Sequence, residues 1–130
     1  MIYYFLGEPV RASEYLKQGL AAYRRHSLAD LSPTNEADLA VFCLSYTAIA
    51  LWMLGYSEQA YLRSEKALSL ARKLARPSLI ASTLHIAFWV HRDWREVSVS
   101  HALVEALVRL CQEQEFPFWL AGGRTHQGWY

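Results

Sequence analysis

The sequence predicts an all-α chain of stacked helical hairpins, and three observations carry that prediction. Apolar residues recur at three- and four-residue steps along most of the chain, the period of one buried helix face. Breakers fall between these runs, at Gly7-Glu8-Pro9, Gly55, Pro77 and Pro117, where helices stop and restart. The pattern also repeats. A shift of 37 residues lays Ser45, Ile49, Ala50 and Trp52 on Ser82, Ile86, Ala87 and Trp89. No segment alternates with a period of two, as a half-buried strand would.

Taken in order, Pro9 stands near the start of the first well-marked helix, where its missing N–H costs nothing. Ala12, Tyr15, Leu16, Gly19, Leu20 and Tyr23 form one stripe, expected to be buried. Arg24-Arg25-His26 suit the negative end of that helix. Ser27 to Asp38 is the one long loop, with turn chemistry at Ser32-Pro33-Thr34-Asn35. A strongly apolar helix follows from about Ala37 to Leu54 and closes at Gly55. Ser57 is placed to cap the next helix, which runs to about Ala75 and stops at Arg76-Pro77. Ser78 is placed to cap an apolar helix reaching His91. Asp93 opens a helix through Glu115, and Phe116-Pro117-Phe118 breaks it. A last apolar segment runs from Trp119 to Tyr130. This gives about six to seven helices in one domain, residues 1–130, with hairpins near 1–26, 37–76 and 78–115 and a partial one at 118–130.

The repeat extends beyond one helix. The 37-residue shift also lays Leu70 on Leu107, and Ala60, Ala67 and Ala71 on Val97, Val104 and Val108. A shift of 40 lays Ala81, Trp89 and Val90 on Ala121, Trp129 and Tyr130. A backward shift of 48 lays Leu54, Gly55 and Ala60 on Leu6, Gly7 and Ala12, with Tyr4 opposite Trp52. A single hairpin cannot bury its own stripe, so neighbouring units must stack.

Composition narrows the function. The 13 basic and 12 acidic residues leave a formal charge of +1, without the concentrated positive field a nucleic-acid binder needs. Basic pairs such as Arg24-Arg25 and Arg72-Lys73 read as a solvated face. No segment has the form of a secretory signal or the length of a membrane span. Cys43 and Cys111 sit inside apolar helical runs, with no CxxC partner, and read as small core residues in a reducing compartment. The expected location is cytoplasmic, with no membrane and no nucleic-acid partner.

Candidate chemistry is sparse. His85 and His91 are six residues apart on one helix, which places them on different faces, and no carboxylate completes a helical zinc pair. His101 and His126 belong to other hairpins. Asp93, Ser98, Ser100 and His101 lie along one helix, where a catalytic triad lacks its nucleophile turn and oxyanion hole. Gly122-Gly123-Arg124 lacks the spacing and the following Lys-Ser or Lys-Thr of a phosphate loop; Gly122 is better read as room for close helix packing. Glu113 and Glu115 point to different helix faces. No enzyme, metal or cofactor is expected.

Gly55 before Ala60, then Ala67-Leu68 and the closing Arg76-Pro77, resemble the second half of a tetratricopeptide repeat, in units a few residues longer than is usual there. A wider resemblance rests on Tyr4-Phe5-Leu6-Gly7-Glu8, Cys43-Leu44-Ser45-Tyr46, Leu51-Trp52-Met53-Leu54-Gly55-Tyr56, Arg95-Glu96 and Phe116-Pro117-Phe118-Trp119-Leu120-Ala121. These words are similar to the C-terminal helical-repeat arm of bacterial multidomain signalling proteins that join a nucleotide-cyclase or kinase domain to a large NTPase. The resemblance implies a right-handed α–α superhelix acting as a docking or sensing arm. It also implies that the chain is part of such an arm, beginning inside one helix (Met1–Leu6) and ending inside another (Trp119–Tyr130).

In tetratricopeptide-like stacks the first helix of each hairpin lines the concave side. The resemblance therefore implies a concave binding face carrying Tyr4, Phe42, Ser45, Ile49, Trp52, Met53, Leu79, Ser82, Ile86, Trp89, Val90 and Trp129. The aromatic column Tyr4, Trp52, Trp89 and Trp129 either floors a groove, as a binding hot spot would, or packs between neighbouring helices. The function expected is a non-catalytic module for a protein or peptide partner. The alternatives are self-association through Met1–Leu6 or Trp119–Tyr130, and a small-molecule sensor with a deep cavity under Trp52 and Trp89.

Overall fold

The protein is described by a computed structural model that covers residues 7–26, 36–92 and 97–129. The described residues form six α-helices: α1 (Pro9–His26), α2 (Glu36–Met53), α3 (Ser57–Leu74), α4 (Pro77–His91), α5 (Val97–Glu113) and α6 (Pro117–Gln127). There is no strand among them. The apolar segment 1–6, the turn at 32–35, the helix start at Asp93 and the terminal Tyr130 lie outside the described residues.

Two kinds of helix alternate, and their place in the fold follows from their patterning. Helices α2 and α4 are apolar almost all round, which requires cover on several sides. Buried α2 residues include Val41, Leu44, Ala48 and Leu51, and buried α4 residues include Leu79, Leu84, Ile86 and Phe88. Helices α3 and α5 are amphipathic and bury a single stripe: Ala60, Ser64, Ala67, Leu68 and Ala71 on α3; Leu103, Val104, Leu107, Val108 and Cys111 on α5. Each helix packs on its neighbours in sequence, and α2 also touches α4, which in turn touches α6. Thus α2, α4 and α6 form a row. Helix α3 bridges α2 and α4, α5 bridges α4 and α6, and α1 lies against α2.

Small residues set how closely these helices approach. Ala60 packs among Ala48, Ile49 and Leu51, and Ala71 meets Val41 and Leu79. Both alanines are fully buried, so a larger side chain at either would force the helices apart. Hydroxyls enter this interior at little cost because each returns to its own helix. Ser45 Oγ donates to the Val41 carbonyl at 2.8 Å, Thr47 Oγ1 to Cys43 at 2.6 Å and Thr83 Oγ1 to Leu79 at 2.7 Å.

Three helices stop through the same backbone device. After α2, Gly55 adopts φ +86°, its N–H donates to the Trp52 carbonyl, and the Tyr56 N–H donates to that of Leu51. This is the paired bonding of a left-handed helix stop. After α3 and α5 the left-handed residue is Ala75 (φ 52°) and Glu115 (φ 55°), with Ala75 N–H on Arg72 and Phe116 N–H on Cys111.

Three expectations need correction. Ser57 and Ser78 do not cap α3 and α4: the caps are Tyr56 and Arg76, and neither makes a side-chain cap bond. At α4 the cause is Pro77, which takes the first helical position and holds Arg76 extended. Tyr15 is not part of the buried stripe of α1. It is 56% exposed, and Ser13 lies inside with Ala12 and Leu16, a rotation of the face toward α2.

The helix stops yield a matched test. Glu115→Gly removes the strain of a side chain at positive φ and is expected to raise stability by up to about 1 kcal/mol, whereas Gly55→Ala introduces that strain and costs about 1 kcal/mol. Urea denaturation midpoints of the two variants should move in opposite directions.

Candidate docking surface

The expected binding face separates into interior and exposed residues. Ser45, Ile49, Leu79, Ser82, Ile86 and Val90 are buried, which corrects their placement on an open groove floor. Ile49, Ile86 and Val90 share one apolar cluster between α2 and α4, and Leu79 packs with Val41 in another. Trp52 is half-buried against the first of these clusters. Trp89 is half-buried with its ring edge-on to His126, 5.2 Å between centroids. Each tryptophan therefore meets the next member of the row. Phe42, Met53 and Trp129 remain exposed, and Tyr4 lies outside the described residues.

The exposed part has a definite pattern. On α4, Leu79, Thr83, Ile86 and Val90 are buried on the side toward α2. Thirty-seven residues earlier, the same positions on α2 are Phe42, Tyr46, Ile49 and Met53. There Phe42 is 40% and Met53 45% exposed, with Leu39 beside them at 54%. Of these four positions α2 shows only the two end ones to solvent; Ile49 is buried and Tyr46 half-buried. At the far end of the row, α6 leaves Phe118, Ala121, Thr125 and Trp129 exposed.

Between α4 and α6 lies a polar cluster that the sequence reading missed. His126 Nε2 and His85 Nδ1 are 3.0 Å apart. The His126 ring stacks on Phe88 at 3.9 Å, and the His85 ring lies 5.5 Å from that of Trp119. Glycine creates the space: a Cβ at Gly122 would stand 2.9 Å from the His85 ring, and one at Gly123 2.9 Å from Val108 Cγ2, the packing role expected of Gly122. Arg92 lies over both Trp89 (5.2 Å) and Trp129 (5.0 Å), a cation–π contact that ties the end of α6 to α4. The signal in the sequence was Gly122 four residues before His126, which puts a gap and a ring on the same helix face.

The protonation state of the pair follows from geometry. One ring must donate. His126 Nδ1 is buried without a partner, and an orphaned acceptor is tolerated better than an orphaned donor. His126 is therefore assigned the Nε2–H tautomer, donating to His85 Nδ1. Burial lowers the pKa of His85. For His126, burial first, then His85 and Arg92, lower it to about 4. His91 on the same helix, 3.2 Å from Ser64 Oγ, is also lowered by burial, with Glu65 opposing.

No group of three His, Cys, Asp or Glu side chains that could hold a metal occurs among the described residues. A surface depression at the α5–α6 turn is lined by Cys111, Glu115, Phe116 and Leu120, but burial raises the Cys111 pKa, and a protonated thiol is a poor nucleophile.

The histidines make stability depend on pH. Their pKa values are depressed in the folded chain, so the unfolded chain takes up protons first. The stabilisation is complete above the unfolded value near 6.5 and is lost as pH falls toward 4. His126 alone is worth roughly 2–3 kcal/mol over that window. Thermal melts should show Tm falling as pH drops from 7 to 4.5, and His126→Phe should flatten the acid arm. An unchanged slope would remove this role from His126. Compared with known proteins, the chain has no significant match among protein-family models, curated proteins or solved structures.

Proposed function

We propose that the chain is a non-catalytic protein-docking module, built as a right-handed α–α superhelix of tetratricopeptide-like hairpins. One observation carries this reading: α2 exposes Phe42 and Met53 at positions equivalent to Leu79 and Val90, which α4 buries against another helix, with Leu39 exposed beside them. The surface is thus half of a helix–helix contact, shaped for an amphipathic helix laid along α2. Exposed apolar clusters of this kind mark interaction sites more often than scattered single residues do.

The superhelical arrangement is supported by the repeated contact of alternate helices, α2 with α4 and α4 with α6. The word-by-word resemblance to the repeat arm of bacterial multidomain signalling proteins supports a docking or sensing arm. Cys43 and Cys111, both free and buried, support a reducing compartment such as the cytoplasm. No described helix is long and apolar enough to cross a membrane.

The test is selection of amphipathic helical peptides from a display library against the 130-residue chain. Enriched peptides should protect α2 amides from hydrogen exchange and lose about thirtyfold or more in affinity for Phe42→Glu/Met53→Glu, a hot-spot-sized loss. Peptides that bind this variant as well as the parent, or no enrichment, would count against the reading.

A further inference from the structure

We infer that the cleft between α3 and α5 is a second docking surface, which takes an apolar side chain of another protein flanked by carboxylates. It lies away from the α2 face and does not depend on the reading of that face. Helices α3 and α5 both pack on α4, and α4 supplies the floor between them. Ile80 and Leu84 of α4, with Ala106 and Leu110 of α5, line an apolar trough of about 270 Å³. Ile80, Ala106 and Leu110 are only half-buried, although each packs on the core cluster beneath. Walls and floor come from three successive helices in the middle of the fold, with α2 beyond one wall and α6 beyond the other.

The charges around the trough select its occupant. Arg72 on the α3 wall and Arg109 on the α5 wall both line it, and they hold the same position in the 37-residue repeat. Neither guanidinium makes an ion pair among the described residues. Arg72 stands in the last turn of α3, where a cation suits the negative helix end. Arg109 has no such role, since the last turn of α5 carries no basic residue. The third charge in the lining is Glu113, which leaves the rim net positive. An arginine fork meets a carboxylate through two parallel hydrogen bonds, and its aliphatic stem can lie along apolar surface as it does so. One carboxylate on each side of a seated apolar side chain would engage both walls together.

Size sets the rest. Pockets for small-molecule ligands run from about 300 to 1,000 Å³. The trough falls below that range and has room for one side chain of leucine or phenylalanine size. Its occupant is therefore a segment of a partner protein in which acidic residues precede and follow a large apolar one. A flat anionic membrane would meet the arginines but leave the trough empty.

Three probes test this against the 130-residue chain. The first is a display library of short peptides with Asp or Glu on both sides of a central Leu or Phe. The second is the same library with Lys or Arg in place of the acids, and the third is phosphatidylserine vesicles. Only the acidic library should enrich, and its peptides should slow amide exchange in α3 and α5 and bind more weakly as salt rises. Arg72→Gln and Arg109→Gln should each cost about tenfold or more in affinity, and melting temperatures near the parent value would show that both variants fold. Ala106→Met should weaken binding with no change of charge, by narrowing the trough. The Phe42→Glu/Met53→Glu variant should bind these peptides as the parent does. The inference is overturned by no enrichment, by equal enrichment of the basic library, or by peptides indifferent to both arginine substitutions. Arginine-dependent binding of vesicles without binding of peptides overturns it as well. Peptides that need Phe42 and Met53 but neither arginine would sink this inference and leave the α2 reading standing.

Discussion

The close approach of α3 to the row of apolar helices is the contact on which the rest of the structure depends. Helices α2 and α4 carry too little polarity to face water on more than one side, and each gains cover only if its amphipathic neighbour comes near. Ala60 and Ala71 on α3 permit this, meeting Ala48 and Leu51 at one level and Val41 and Leu79 at another. Dispersion contacts are short-ranged, so a gap of an ångström between these helices would forfeit much of the attraction. The same approach brings α2 against α4. It therefore fixes which side of each apolar helix is spent on internal contact and which remains available.

That division explains why the tryptophan column is not itself the exposed surface. Trp52 and Trp89 project along the row toward the following helix, where each finds an apolar or aromatic neighbour. Trp129, in the turn just after α6, holds the equivalent position, and its ring is exposed apart from its contact with Arg92. The chemistry of the three positions is alike; their exposure differs because of what lies beyond them. At the other end of the row Phe42 and Met53 stand in the complementary situation.

Much of this was readable from the residues, and the limits have physical causes. Helix identity and approximate ends followed from the 3.6-residue period and from Gly55, Pro77 and Pro117, because backbone-restricting residues act locally. The equivalence of Trp52 and Trp89 followed from a 37-residue spacing, since stacked units must present like residues at like positions. Burial on a given face was harder. An apolar helix has no polar side to orient it, so the sequence of α2 could not say which of its apolar residues faced inward. The Ser57 and Ser78 caps failed because helix starts there are set by Pro77 and by the turn at Gly55, not by a hydroxyl. The His85–His126 contact was invisible because it joins residues 41 apart across a diagonal of the row, where neither residue type predicts the other.

The three left-handed helix stops carry a further implication. One uses glycine, one alanine and one glutamate, yet all reverse the chain in the same way. The turn geometry is imposed by the packing of the flanking helices, which can hold even an unfavourable residue in place. The residue at these corners is then only weakly restrained by the turn itself. Such a molecule can wander far in residue identity while its architecture stands still.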